Sequence, residues 1–193
     1  MTQNRVQIVI LCEDLQQQVF AYHFLKKRGF NINPKNITIR TSPTGKGAGE
    51  HFVRKHYAAE VREYRRKNYR SGMLIVLIDA DTATVKATLK ELDNALIENS
   101  QELRKPDEKI AIFVPKKNIE TWIHYLQTGE VVEEAEKSKY PKFPKNEAIC
   151  KPGVEQLANQ CSQGSLNDNA PPSLQAACEE LQRILPLLNT YER

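Results

Sequence analysis

Three short apolar runs constrain this chain more than anything else in it: Val6-Gln-Ile-Val-Ile-Leu11, Met73-Leu-Ile-Val-Leu-Ile78 and Ile110-Ala-Ile-Phe-Val114. Each is too short for a helix with an apolar stripe, and each is rich in β-branched residues whose stiff side chains suit an extended backbone. They read as strands buried on both faces, the pattern of a parallel sheet covered by helices on each side. A fourth segment, Asn36-Ile-Thr-Ile-Arg40, alternates apolar and polar residues, as a more exposed or edge strand would.

Helical spacing fills the intervals. Leu15 to Arg28 is closed by Gly29, the residue type that best tolerates the left-handed turn ending a helix. Gly49 to Asn68 follows the fourth segment. Thr82 to Glu98 sets Val85, Leu89, Leu92 and Leu96 on one face and Lys86, Lys90, Glu91 and Asp93 on another. The alternation predicts an α/β fold with a mainly parallel central sheet of about four strands flanked by helices, while leaving antiparallel pairing of the Asn36 strand open. Beyond the last strand, a helix carrying Ile119, Trp122, Ile123 and Leu126 precedes a stretch rich in charge and proline at 128–152, expected as a surface loop. Helices resume around Val154 to Cys161 and from Ser173 onward, where Leu174, Ala177, Leu181, Ile184 and Leu188 recur at helical intervals. Residues 1–127 are thus expected to form the α/β domain, with 128–193 a loop and C-terminal helices packed on the same domain.

Composition narrows the class. A chain that is 40% hydrophobic and 27% charged has enough apolar matter for a packed core, which excludes a disordered or fibrous protein. No apolar run reaches the roughly 20 residues of a membrane-spanning helix, and the first residues lead into a strand rather than a signal segment, so a cytoplasmic location is expected. Cys12, Cys150, Cys161 and Cys178 lack C-x-x-C spacing and are expected as reduced core thiols rather than a zinc site or disulfide framework. The formal charge of +4 leans toward an anionic partner.

The chemistry sits at the strand ends. Glu13 follows the first run, Asp79 follows the third strand immediately, and Asp81 comes two residues later. In a parallel sheet these positions share the carboxyl rim, where open α/β folds bind ligands. Carboxylates held together raise one another's pKa unless a cation neutralises them, and hard oxygen donors suit Mg²⁺ or Mn²⁺. The inferred chemistry is phosphoryl transfer or phosphodiester cleavage. The competing reading is structural: acidic residues after strands often cap helices, and Asp14 or Asp81 would serve as N-caps.

A glutamate after the first strand and an Asp-x-Asp after a later one resemble the TOPRIM superfamily, and the matching positions are Glu13, Asp79 and Asp81. The similarity covers about residues 5–127. It is nearest to small stand-alone prokaryotic TOPRIM-like proteins, including those beside defence genes that resemble nucleases of the overcoming-lysogenization-defect group. In that group an acidic residue after the fourth strand often completes the site, and Asn118-Ile-Glu120-Thr-Trp122 has this form. The resemblance implies a Mg²⁺- or Mn²⁺-dependent nuclease acting on DNA or RNA, or a nuclease subunit working with an ATPase in a defence system. Glu13, Asp79 and Asp81 would be metal ligands, with Glu13 and Glu120 catalytic. Two departures, Asp14 where most such segments carry glycine and the absence of glycine from Thr82-Ala-Thr-Val85, favour the alternative of a non-catalytic module that binds nucleic acid or a partner protein.

Basic residues supply candidate nucleic-acid contacts. Lys46 lies in the loop Thr41-Ser-Pro-Thr-Gly45-Lys46-Gly47-Ala-Gly49, whose amides suit either a phosphate cradle or a flexible connection. Arg62, Arg65 and Arg66 belong to a basic stripe on the second helix, which suits either a phosphate backbone or solvent. Lys116 and Lys117 sit beside the expected rim.

Overall fold

The computed structural model describes residues 6–43, 49–67, 72–134, 142–143, 145–164 and 166–188. Strands β1 (Gln7–Cys12), β2 (Ile37–Thr41), β3 (Gly72–Leu77) and β4 (Ile110–Phe113) form one sheet in the order β2-β1-β3-β4. Every pairing is parallel, with Ile8 opposite Ile37, Leu11 opposite Val76 and Leu77 opposite Phe113, so the second strand does not pair antiparallel. The connecting helices are α1 (Leu15–Lys27), α2 (Gly49–Arg66) and α3 (Val85–Glu98), followed by α4 (Ile119–Thr128), α5 (Lys151–Gln163) and α6 (Pro172–Leu188).

Side chains alternate along a strand, so each strand feeds two cores. Ile10, Ile75 and Phe113 pack among residues of α1, α4, α5 and α6, whereas Leu11, Val76 and Ile112 pack among residues of α2 and α3. The alternating segment β2 is an edge strand, as its pattern required. β4 is the other edge, yet all its residues are buried. Its outward backbone is covered from α6 and the preceding loop: Ile112 N–H donates to Glu180 at 3.1 Å, while Arg183 and Arg104 donate to the Ile110 carbonyl at 2.6 and 2.9 Å. These side chains stand in for a fifth strand and close an edge that would otherwise invite pairing.

Helix ends follow from local chemistry. Asp14 adopts an extended backbone and its side chain accepts the Gln17 N–H at 2.8 Å, capping α1. Gly29 has φ 93°, the left-handed turn expected of it. α3 starts at Val85 rather than Thr82, because Asp81 adopts φ 51°, Ala83 N–H turns back to the Ala80 carbonyl at 2.8 Å, and Thr84 is the cap. α5 starts earlier than its apolar spacing suggests, with Pro152 in the first turn, where a missing N–H costs nothing.

The C-terminal helices share the core. α5 packs on α1 and α6 on β4. Trp122 is fully buried, its ring 5.7 Å from that of Phe20 and its Nε1 donating to Ser173 Oγ at 2.7 Å. The expectation of four reduced thiols needs correction: Cys161 of α5 and Cys178 of α6 form a disulfide, their Cα atoms 5.6 Å apart. Spacing in sequence gave no sign that these two positions face each other across a helix pair. Cys12 and Cys150 are free and buried, and burial pushes their thiols up to about 12 and about 11. Among the described residues, no helix is long and apolar enough to cross a membrane.

Candidate functional site

Because all four strands run the same way, their carboxyl ends form one rim, and the turns leaving β1 and β3 bring Glu13 and Asp79 into contact. The Asp79 N–H donates to Glu13 Oε1 at 2.6 Å. Beyond β3 the backbone continues to pair with the chain after β4: Ile78 N–H to the Phe113 carbonyl, Ala80 N–H to Pro115 at 2.9 Å, and Asp81 N–H to Lys117 at 2.9 Å. This extension fixes Asp81 against the turn that leads through Asn118, the residue before α4, to Glu120 in that helix's first turn. The cap of α3 is Thr84, so Asp81 is not the helix cap that its position allowed, while Asp14 is one.

A residue that the sequence reading passed over ties the pair together. Gln17 is fully buried; its Oε1 accepts the Glu13 N–H at 2.9 Å and its Nε2 donates to Asp79 Oδ1 at 2.8 Å. With the Asp79 N–H on Glu13, three residues form a closed hydrogen-bonded ring. The signal was present as Asp14-x-x-Gln17, a capping-box pattern in which the third helical residue reaches back to the backbone N–H of the cap itself. Here it reaches one residue further, to Glu13.

From the other side of the sheet, α2 begins against Glu13. A Cβ on Gly49 would lie 2.6 Å from Glu13 Cβ and 2.9 Å from its carbonyl oxygen, so only glycine lets the helix approach this closely. Glu13 therefore faces α2 at its Cβ and reaches over the strand end to Asp79, whose carboxylate is held by α1.

The electrostatics record crowding. Burial, and then the charges of Asp14, Asp81 and Glu50, push Glu13 up to about 7 against the opposing hydrogen bond from Asp79. Asp79 is driven well above the usual carboxylate range, first by burial and then by Glu13, Asp14 and Glu120. Neither has an ion-pair partner among the described residues. Glu50, in the first turn of α2, joins this acidic rim and was missed from sequence because only the crossing of α2 over β1 brings it there. Glu13 and Glu120 line a cleft of about 800 Å³ with Gln16, Thr41 and Lys142, whose ammonium lies 3.3 Å from Glu120. Asp79 is buried beneath that lining.

Among the described residues, no three carboxylate, histidine or cysteine side chains are gathered closely enough to surround a metal ion as they stand. Each of three carboxylates takes a hydrogen-bond donor instead: Glu13 the Asp79 N–H, Asp79 the Gln17 amide, Glu120 the Lys142 ammonium. The donor set fits a hard divalent cation, being all oxygen, mutually repelling and clustered at one rim.

The basic candidates are placed apart. Lys46 lies outside the described residues, as do the others of its loop from 44 to 48. α2 starts beside Glu13, at Gly49, and runs for 18 residues, about 27 Å, toward the opposite end of the sheet. Arg62, Arg65 and Arg66 lie there: Arg62 on the Asn99 carbonyl, Arg65 on Glu108, Arg66 on Glu63. Lys116 does adjoin the rim and pairs with Glu134, and Lys117 holds Asp81 through its carbonyl.

No protein-family model, curated protein or solved structure matches this chain. The reading of the site rests on its own geometry and on its motifs.

Proposed function

We propose that the chain is a divalent-metal-dependent nuclease of TOPRIM type, hydrolysing DNA or RNA phosphodiesters. The observation that carries this is the contact between Glu13 and Asp79: a half-buried carboxylate on the cleft accepts the backbone N–H of the residue bearing a buried one at 2.6 Å, both are raised in pKa, and neither faces a cationic side chain among the described residues. Such an arrangement costs stability and is relieved by a bound cation. Glu13, Asp79 and Asp81 would hold Mg²⁺ or Mn²⁺, which when bound supplies charge neutralisation and an activated water at the scissile phosphate. Glu13 and Glu120, both on the cleft, are the groups suited to orient that water and take its proton. Lys116 and Lys117, in the turn that pairs with Asp81, and Lys142, on the cleft itself, are basic residues placed to meet substrate phosphate. A cytoplasmic site of action and an ATPase partner in a defence assembly extend this proposal.

The test is cleavage of labelled single- and double-stranded DNA and RNA with Mg²⁺ or Mn²⁺ present. Asp79→Asn and Glu13→Gln are each expected to lower the rate by at least about 100-fold. Undiminished cleavage by either variant removes its carboxylate from the mechanism.

A second reading, a non-catalytic module binding nucleic acid or a partner protein, draws support from the absence of a gathered metal cluster among the described residues and from Asp14 in the place of a glycine. No measurable Mn²⁺ binding, together with stable co-purification of a partner, favours it.

A further inference from the structure

We propose that Gln17 is a positioning residue of the candidate metal centre: its amide fixes the Asp79 carboxylate by one oxygen and so presents the other, Oδ2, to a cation. The inference rests on the metal reading above and adds to it a residue that no motif assigns.

The argument begins with the amide's two ends. Glu13 N–H is a donor and must meet an acceptor, so the Gln17 end turned toward it is Oε1, at 2.9 Å. That choice forces Nε2 toward Asp79 Oδ1, at 2.8 Å, across 62 residues of sequence. Orientation is thus set by the backbone and not by the carboxylate it serves. Gln17 is fully buried on the first turn of α1, and that turn is itself pinned by the Asp14 cap, so the amide has no room to turn away. The third bond, from Asp79 N–H to Glu13 Oε1, closes the ring, so each carboxylate is tied to the backbone of the other residue, one directly and one through Gln17.

The chemistry of the side chain matters as much as its place. An arginine there would neutralise Asp79 and take the cation's role. A glutamate would add a further charge to a crowded rim and offer no donor. A neutral amide orients the carboxylate while leaving its charge for a cation to meet. Outer hydrogen bonds of this kind to metal-binding carboxylates are worth about 10–100-fold in metal affinity.

The experiment measures Mn²⁺ and Ca²⁺ binding by calorimetry on the full chain, with far-UV circular dichroism and a thermal melt to confirm folding. Gln17→Met keeps the length and bulk of the side chain and removes both hydrogen bonds. Mn²⁺ is the smaller ion and is held by about six oxygens, so one misplaced ligand costs it more, whereas Ca²⁺ accepts about six to eight in flexible, irregular sets. The expected result is that the Mn²⁺ dissociation constant rises by about 10–100-fold while that of Ca²⁺ rises clearly less. Equal weakening of both ions, or weakening of neither, overturns the proposal, because a merely structural role does not discriminate between them. Should Gln17→Met fail to fold, Gln17→Asn, one methylene too short to span both partners, is judged by the same ratio. If the parent chain binds neither ion, the metal reading itself is overturned; if the parent binds Mn²⁺, Asp79→Asn does not, and Gln17→Met binds as the parent does, only the role of Gln17 is.

Discussion

The two ends of this sheet handle buried charge in opposite ways. At the amino end, Glu108 is 8% exposed; at the carboxyl end, Asp79 is 7% exposed. Burial acts to raise both. At Glu108 it is overcome: Arg65 donates two hydrogen bonds at 2.7 and 3.0 Å, the Lys105 N–H adds a third at 2.8 Å, and the carboxyl stays below its ordinary range. At Asp79 the neighbouring charges are carboxylates and, among the described residues, the side-chain donor is the neutral Gln17, so the shift goes far upward. At similar exposure the two titrate in opposite directions: Asp79 is the deeper group and lacks the cationic partner that Arg65 gives Glu108, so depth and pairing both act to separate them. Among the described residues, the amino-end carboxylate meets a cationic side chain and the carboxyl-end one does not.

The pH dependence of stability should expose that difference most strongly. Glu13 titrates near 4.5 when unfolded and about 7 when folded, so between these values the folded chain binds more protons than the unfolded one. Its contribution is fully present below the lower value and is lost as pH rises through the upper. Without divalent cation, stability is therefore expected to fall between about pH 5 and 8 by on the order of 3 kcal/mol from Glu13, with Asp79 acting in the same direction. Denaturant unfolding at a series of pH values measures this. Asp79→Asn should flatten the curve, and saturating Mn²⁺ should restore stability at the alkaline end. A curve that rises with pH in the metal-free chain would mean the carboxyl end is already compensated.

Removing the amino-end partner should have the contrary signature. Arg65→Ala leaves Glu108 buried without its two guanidinium bonds and uncaps the Glu102 and Leu103 carbonyls, which Arg65 meets at 2.9 and 3.1 Å. A loss of about 2–3 kcal/mol is expected in equilibrium unfolding, with Mn²⁺ affinity unchanged. Coupled losses of stability and metal affinity would show that the ends are not independent.

Much of this arrangement is legible in the sequence, for reasons that also mark its limit. Runs such as Met73 to Ile78 read as doubly buried strands, and once strands are parallel their ends share a rim; that Glu13 and Asp79 touch there depends further on β1 and β3 being neighbours, which the runs do not give. Pairwise facing between helices carries no such periodic signature, which is why the Cys161–Cys178 bond and the approach of Glu50 were not foreseen. Gln17 was hidden differently: its capping-box spacing was visible, but a cap explains the local backbone fully and gives no reason to look 62 residues away. The covering of β4 by Glu180 and Arg183 likewise turns on a long-range packing of α6 that helical spacing shows only as an apolar face.

The basic stripe on α2 supplies the smallest effect and the finest test of the comparison. The spacing of Arg62, Arg65 and Arg66 suits a phosphate backbone as well as it suits solvent, but a helix that leaves the carboxyl rim must carry its last turn to the amino rim. Arg66 accordingly lies on Glu63 three residues away, with hydrogen bonds of 2.9 and 2.7 Å, and its side chain is 69% exposed. Solvent screens an exposed pair of this spacing, so it adds little to stability. Arg66→Ala is expected to leave stability within about 0.5 kcal/mol and to leave the salt dependence of nucleic-acid binding unchanged. If instead the slope of binding against salt falls by about one phosphate contact, nucleic acid runs the length of α2. The amino end would then join the substrate path, and the division between a self-contained end and an open one would have to be redrawn along the helix rather than across the sheet.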